Sequence, residues 1–208
     1  MMLHIGRLLV AGLLSLSCTA ALAGAGERLD AYLSGLDTVA SRFEQRLFDE
    51  SRKLLERARG TVLIERPGRF RFDYADPPQL IVGDGVRVWI YDPELAQVTV
   101  RDVDAALGST PAVLLTSERP VAEGFRVEEL DVGANVDVFA LEPRAADASF
   151  TSIRLAFADG ELRRMELVDQ FGQTTLITFH DIQRRPDLPA DAFTFTPPAG
   201  VDVIDGSE

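Results

Sequence analysis

Apolar residues change their spacing early in the chain. In Glu27–Leu36, ERLDAYLSGL, Leu29, Tyr32, Leu33 and Leu36 recur at i, i+3, i+4 and i+7, one stripe of a helix. From about Val39 the period becomes two, which sends alternate side chains to opposite faces of a strand. The plainest case is RPGRFRFDY, Arg66–Tyr74. Phe70, Phe72 and Tyr74 fall on one face, and Arg69, Arg71 and Asp73 on the other.

Strands are predicted over 41–48, 55–66 (around Val62 and Ile64), 69–74, 79–83, 86–91 and 97–103. Asp84-Gly85 makes 79–91 a tight hairpin. The alternation stops in AALGSTPAVLLTS, 105–117, where Thr110 fits an N-cap and Pro111 the first helical position. Pro120 and Gly124 end that excursion. Strands resume at 125–130, 136–142, 150–157, 162–168 and 174–182. An extended last element is expected over 192–201, with a helical piece near 188–193.

Such a chain is mainly β (α+β), with about eleven strands in one antiparallel sheet that curls strongly. Two or three amphipathic helices cannot cover both faces of that sheet, but they can close the mouth of a curved one. Phe70, Phe72, Tyr74, Val88, Ile90, Leu155 and Phe157 share the inner face, while Arg69, Arg71, Arg87 and Arg154 face out. A concave apolar space of this kind is the usual place for a ligand.

The first residues change the picture of where the protein works. Arg7, the apolar run Leu8–Ser17 and Ala21-Leu22-Ala23 read as a secretory signal peptide, 1–23, cut after Ala23. Removing 23 of the 208 residues leaves 185, expected to form a single domain over 24–208. Cys18 is the only cysteine, so the mature chain has none to pair. Its context also lacks the leucine that a lipoprotein signal places three residues upstream.

Charge excludes further classes. All 33 acidic residues follow the cut against 20 basic ones, so the formal charge goes from −12 to −13 when Arg7 is lost. That surface repels nucleic acid and anionic headgroups. Lys53 is the single lysine, and no GxxxxGK[ST] loop precedes it, so ATP use by that route is excluded. No GxSxG elbow, HxxxH or CxxC occurs, and His180 is the one histidine after the cut. The Asp residues gather at turns, where geometry alone favours them. The sequence therefore predicts no enzyme, no metal and no cofactor.

RPGRFRFDY, QLIVGDGVRVWIYDPELAQVTV (79–100), GSTPAVLL (108–115) and FTFTPPAGVDV (193–203), in that order, resemble the periplasmic outer-membrane lipoprotein carrier family, the LolA type. The resemblance spans about Glu27 to Val203. It implies an unclosed half-barrel of eleven strands with an α-helical lid over a hydrophobic cavity. It also implies a periplasmic chaperone, monomeric, that takes lipid-modified lipoproteins from an inner-membrane ABC transporter. The chaperone would shield their acyl chains and deliver them to an outer-membrane receptor. Carried over by residue, Arg66 would clasp the lid by hydrogen bonds, and Leu114 and Leu115 would face the chains. Phe70, Phe72, Tyr74, Val62, Ile64, Val88 and Ile90 would line the opposite wall. Ala112 and Val113 depart from the family, standing where larger apolar residues are common. A carrier of another lipid or glycolipid is the alternative, because methylene chains are recognised by apolarity alone. The pathway's receptor shares the fold but needs a lipid anchor, for which Cys18 is poorly placed.

Overall fold

The computed structural model describes residues 24–103, 111–133 and 135–206. The leader expected over 1–23 and the Thr110 cap lie outside the described residues. Helix α1 (Ala25–Ser34) forms on the predicted stripe and buries Leu29 and Leu33. The sheet begins with β1 (Thr38–Phe48), β2 (Leu54–Glu65), β3 (Arg69–Asp76), β4 (Pro78–Asp84), β5 (Arg87–Asp92) and β6 (Gln97–Asp102). Two short helices follow, α2 (Pro111–Thr116) and α3 (Val121–Gly124). The chain then returns to strand in β7 (Phe125–Leu130), β8 (Val136–Pro143), β9 (Phe150–Ala158), β10 (Glu161–Asp169) and β11 (Thr174–Arg184), and closes with β12 (Asp202–Asp205).

All twelve strands share one unclosed sheet, ordered β12-β6-β5-β4-β3-β2-β1-β11-β10-β9-β8-β7. Consecutive strands pair as hairpins do, except β6 with β7 and β11 with β12. The β1–β11 pairing, from Val39↔Arg184 to Phe48↔Thr174, joins the two halves. Register carries the sequence alternation across strands, with Val62 opposite Phe72, Phe72 opposite Ile81 and Ile81 opposite Ile90. Side chains from both halves, Phe70 and Phe72 with Phe139, Leu155 and Phe157, enter one core with α1 and α2. A sheet whose distant strands meet in one core is curled around it.

Gly60 and Gly83 let the aromatic wall close up. A Cβ at Gly60 would sit 2.1 Å from the Asp73 carbonyl oxygen, and one at Gly83 would sit 2.4 Å from the Phe70 ring. Phe43 meets Phe72 and Tyr74 edge-on, at 5.3 and 4.9 Å between centroids.

Three expectations are corrected. The 192–201 segment is not a strand, and the helical piece near 188–193 is a single turn, with the Ala192 N–H on the Pro189 carbonyl at 3.0 Å. Pro197 and Pro198 have no N–H to give a ladder. The segment instead lies flat on the outer face of β3–β6. Phe195 meets Trp89 at 5.9 Å and Tyr91 at 5.8 Å, and Phe193 is buried under the Arg69 guanidinium. Val82, Val98 and Val100 are buried on that outer face. The strand comes later, as β12, and it pairs with β6 in parallel, so the sheet is twelve-stranded and not wholly antiparallel. Finally, Pro120 does not end the helical excursion. It stands at the N-cap position of α3 without a side-chain capping bond of its own, and the first N–H, from Val121, is taken by Asp30 Oδ1 of α1 at 3.0 Å.

Candidate functional site

Helix α2 plugs the concave side of the sheet. Ala112, Val113, Leu114 and Leu115 are all buried, Leu115 completely. So short a helix has few internal bonds and leaves its last carbonyls without partners. The turn between β2 and β3 supplies them. Arg66 Nη1 donates to the Leu115 carbonyl at 2.8 Å and Nη2 to the Ser117 carbonyl at 2.5 Å. The Gly68 N–H donates to the Thr116 carbonyl at 3.0 Å. Three consecutive carbonyls are thus held by one turn. A guanidinium suits the task because its donors lie in a fixed fork and its charge complements a helix C-terminus.

Arg66 is itself anchored, its backbone N–H bonding the Asp37 carbonyl at 2.8 Å. Half-burial lowers the guanidinium's pKa, while Asp37, Glu118 and Asp30 work to raise it. Thr116 is fully buried, and its hydroxyl folds back on the Ala112 and Val113 carbonyls at 3.2 Å.

Beside the N-terminal part of α2 an open space of about 150 Å³ remains. Its wall is Phe72, Tyr74, Ile81, Phe150, Met165, Leu167 and Ile177, with Ala112 from the helix and Gln45 and Thr175 as polar members. The Tyr74 hydroxyl donates to Gln45 Oε1 at 3.0 Å. Burial pushes the Tyr74 phenol well above its ordinary pKa, and Glu56 adds to the shift, so the ring stays neutral.

Among the residues expected to line the cavity, Phe72 and Tyr74 border this space. Phe70, Val62, Ile64, Val88, Leu114 and Leu115 are in the closed core, and Ile90 packs against it. Arg66 is at the C-terminal end of α2. Sequence reasoning missed Gln45, although parity gave the signal: it stands between Phe43 and Leu47, a polar residue on the inner face of β1. It also missed Phe150, Met165, Leu167 and Ile177, which reach the aromatic wall only through the β1–β11 pairing.

The family model described as outer membrane lipoprotein carrier protein LolA matches residues 34–196. The chain belongs to the LolA family. An outer-membrane lipoprotein carrier protein of Dechloromonas aromatica is 42% identical over 202 residues, covering 94% of this chain and 97% of the relative. One from Nitrosomonas europaea is 44% identical over 184 residues, covering 88% and 89%. The crystal structure of an uncharacterized conserved protein from Thermus thermophilus shares the fold at a TM-score of 0.54. It is 16% identical, and 87% of this chain and 98% of that one are covered.

In this LolA-family chain a larger concavity, about 540 Å³, opens on the outer face between Arg42, Glu44, Arg59 and His180. Charged side chains ring it, and Arg42 is paired with Asp181. His180 is exposed there. Among the described residues no helix is long and apolar enough to cross a membrane, and no three His, Cys, Asp or Glu group as metal ligands do.

Proposed function

We propose that this protein is a periplasmic carrier that shields the acyl chains of lipid-modified proteins beneath α2. It would receive them from an inner-membrane ABC transporter and deliver them to an outer-membrane receptor. The observation that carries the reading is an apolar hollow covered by a helix whose C-terminus is tied to the sheet by three hydrogen bonds from one turn. Ligand pockets run to roughly 300–1,000 Å³, and the space left under α2 is about 150 Å³. Long chains fit only when α2 leaves.

The energetics favour such an exchange. Lifting α2 exposes Ala112 to Leu115, and each methylene that takes their place returns about 0.8 kcal/mol. Apolar cover replaces apolar cover, and re-forming the clasp favours the empty, closed state. A carrier balanced in this way holds its cargo without keeping it. Extraction from a bilayer is a different matter, costing roughly tens of kcal/mol for several chains. The sequence has no P-loop to supply that, so the work falls to the transporter. The names of the relatives and the expected leader agree with this assignment.

The test is incubation with inner-membrane vesicles, ATP and a labelled lipoprotein. Soluble cargo is expected only when this protein is added. Cargo left in the membrane, with free lipid or glycolipid co-purifying instead, would replace the reading by the alternative carrier.

A further inference from the structure

The space under α2 is apolar except at one rim, where Gln45, Tyr74 and Thr175 stand. Gln45 on β1 and Tyr74 on β3 both border it, and the Tyr74 hydroxyl is bound to the Gln45 amide at 3.0 Å. That contact engages the amide oxygen as acceptor, so both N–H groups of the amide nitrogen remain. Gln45 therefore keeps donors to spare, and among the described residues no protein acceptor takes them. Gln45 is only partly buried and also borders a charged cleft with Glu44, Arg46 and Arg57, so solvent reaches its amide until a chain fills the space; a ligand acceptor that then replaces water is favoured. The pair is also held in place. Phe43 packs edge-on against Tyr74 at 4.9 Å, and Tyr74 stacks beside Phe72 at 6.5 Å.

Position gives the ligand's polarity. Gln45 and Tyr74 stand near the ends of β1 and β3, and Phe150 and Thr175 near the starts of β9 and β11, all at one rim of the sheet. The Arg66 turn lies at the opposite ends of β2 and β3. A chain entering by the first rim would run its methylenes inward under α2 and leave its linkage beside Gln45.

We infer that Gln45, oriented by Tyr74, binds the carbonyl oxygen of the ester or amide that joins an acyl chain to its headgroup. The cavity would then select acyl linkages over bare hydrocarbon and ether-linked chains. This rests on the reading that the hollow takes acyl chains.

The test measures binding of dioctanoylglycerol and of its diether counterpart, dioctylglycerol, to the purified protein by calorimetry. The ester is expected to bind about fivefold to tenfold more tightly, as one neutral hydrogen bond implies. In Gln45→Leu that ratio should fall to about one, with ether affinity kept within about twofold. Tyr74→Phe should give an intermediate ratio. Should Gln45→Leu fail to fold, Gln45→Met keeps the unbranched shape without the donor. Equal binding of the two probes by the unaltered protein, or an ester preference undiminished in the Gln45 variants, would overturn this inference alone. Binding of neither probe would overturn the acyl-cavity reading and this inference with it.

Discussion

Leu115 is held from two sides. Its side chain is wholly buried in the concave core, and its carbonyl accepts the Arg66 Nη1–H at 2.8 Å. The residue that fills the hollow is therefore the residue the clasp grips. Displacing the side chain loosens the hydrogen bond, and losing the hydrogen bond frees the side chain. The Gly68 N–H on the Thr116 carbonyl and Arg66 Nη2 on the Ser117 carbonyl extend the same coupling over the next two residues.

Arg66→Leu should leave cargo uptake intact and impair its release. A hydrogen bond from a charged group contributes roughly 1.5–3 kcal/mol, and the half-exposure of Arg66 argues for the low end. Loss of two such bonds should shift the closed-to-open ratio by about a hundredfold. Arg66→Lys, a point charge without the fork, should fall between. Transfer of labelled lipoprotein from each variant to receptor-bearing membranes is the measurement. Transfer by Arg66→Leu at the normal rate would remove the clasp from the mechanism.

Gly60→Ala and Gly83→Ala should both destabilise, for different reasons. At Gly60 the added carbon meets backbone, the Asp73 carbonyl oxygen at 2.1 Å, so β2 and β3 must part. At Gly83 it meets the Phe70 ring, which can move only by displacing other buried side chains. Overpacking of this sort costs typically 1–3 kcal/mol. Urea unfolding is the check, and Gly60→Ala is expected to lose more because a strand backbone yields less than a ring.

Much of this fold was legible because most strands bury one face and leave the other to solvent. Alternation placed β7 on its observed bounds and the other ten inner strands within a few residues. The outer core was not found, although Leu80-Ile81-Val82 and Val88-Trp89-Ile90-Tyr91 are unbroken apolar runs. Such runs mark strands buried on both faces. What covers the second face comes from 186–201, a segment with no period of its own. Periodicity cannot show where an aperiodic chain will lie. The cavity wall was half legible for a related reason. Phe72 and Tyr74 declare themselves locally, whereas Met165 and Leu167 acquire their place only through long-range pairing.

Stability should decline above about pH 10, the ordinary tyrosine value. Tyr32 is raised chiefly by its hydrogen bond to Asp137 at 2.5 Å, then by burial and by the charge of Asp137, with Arg28 opposing. Tyr74 is raised by burial. Both phenols keep their protons in the folded protein at a pH where the unfolded chain gives them up. Their contribution is therefore complete below the unfolded pKa and is lost as pH rises through the folded ones. Thermal unfolding should be flat on this account from pH 7 to about 9, then fall. Tyr74→Phe should make the alkaline fall shallower. A slope unchanged in that variant would place the titration elsewhere.

Trp89, the only tryptophan, should report the outer strap, the 192–201 segment packed on β3–β6, and stay silent about cargo. Its indole N–H donates to Asp84 Oδ2 at 2.9 Å, and its ring faces Phe195 at 5.9 Å, between Val82 and Val100 on the side of the sheet away from α2. Burial alone would raise Asp84, yet the indole, the Arg87 and Val86 N–H groups and the Arg87 charge together hold it below its usual pKa. The carboxylate thus stays ionised as Trp89's partner through the neutral range. Phe195→Ala should wet the indole and shift its emission to longer wavelength. Phe193→Ala, emptying a buried site, should cost more, up to about 3–5 kcal/mol. Acyl ligands entering under α2 touch only the inner face, and β4 and β5 are rigidly paired between the two sides. Their binding should leave the emission maximum where it is. An emission shift on ligand binding would mean that opening the hollow strains the sheet through to its outer face, and that the strap moves with the helix.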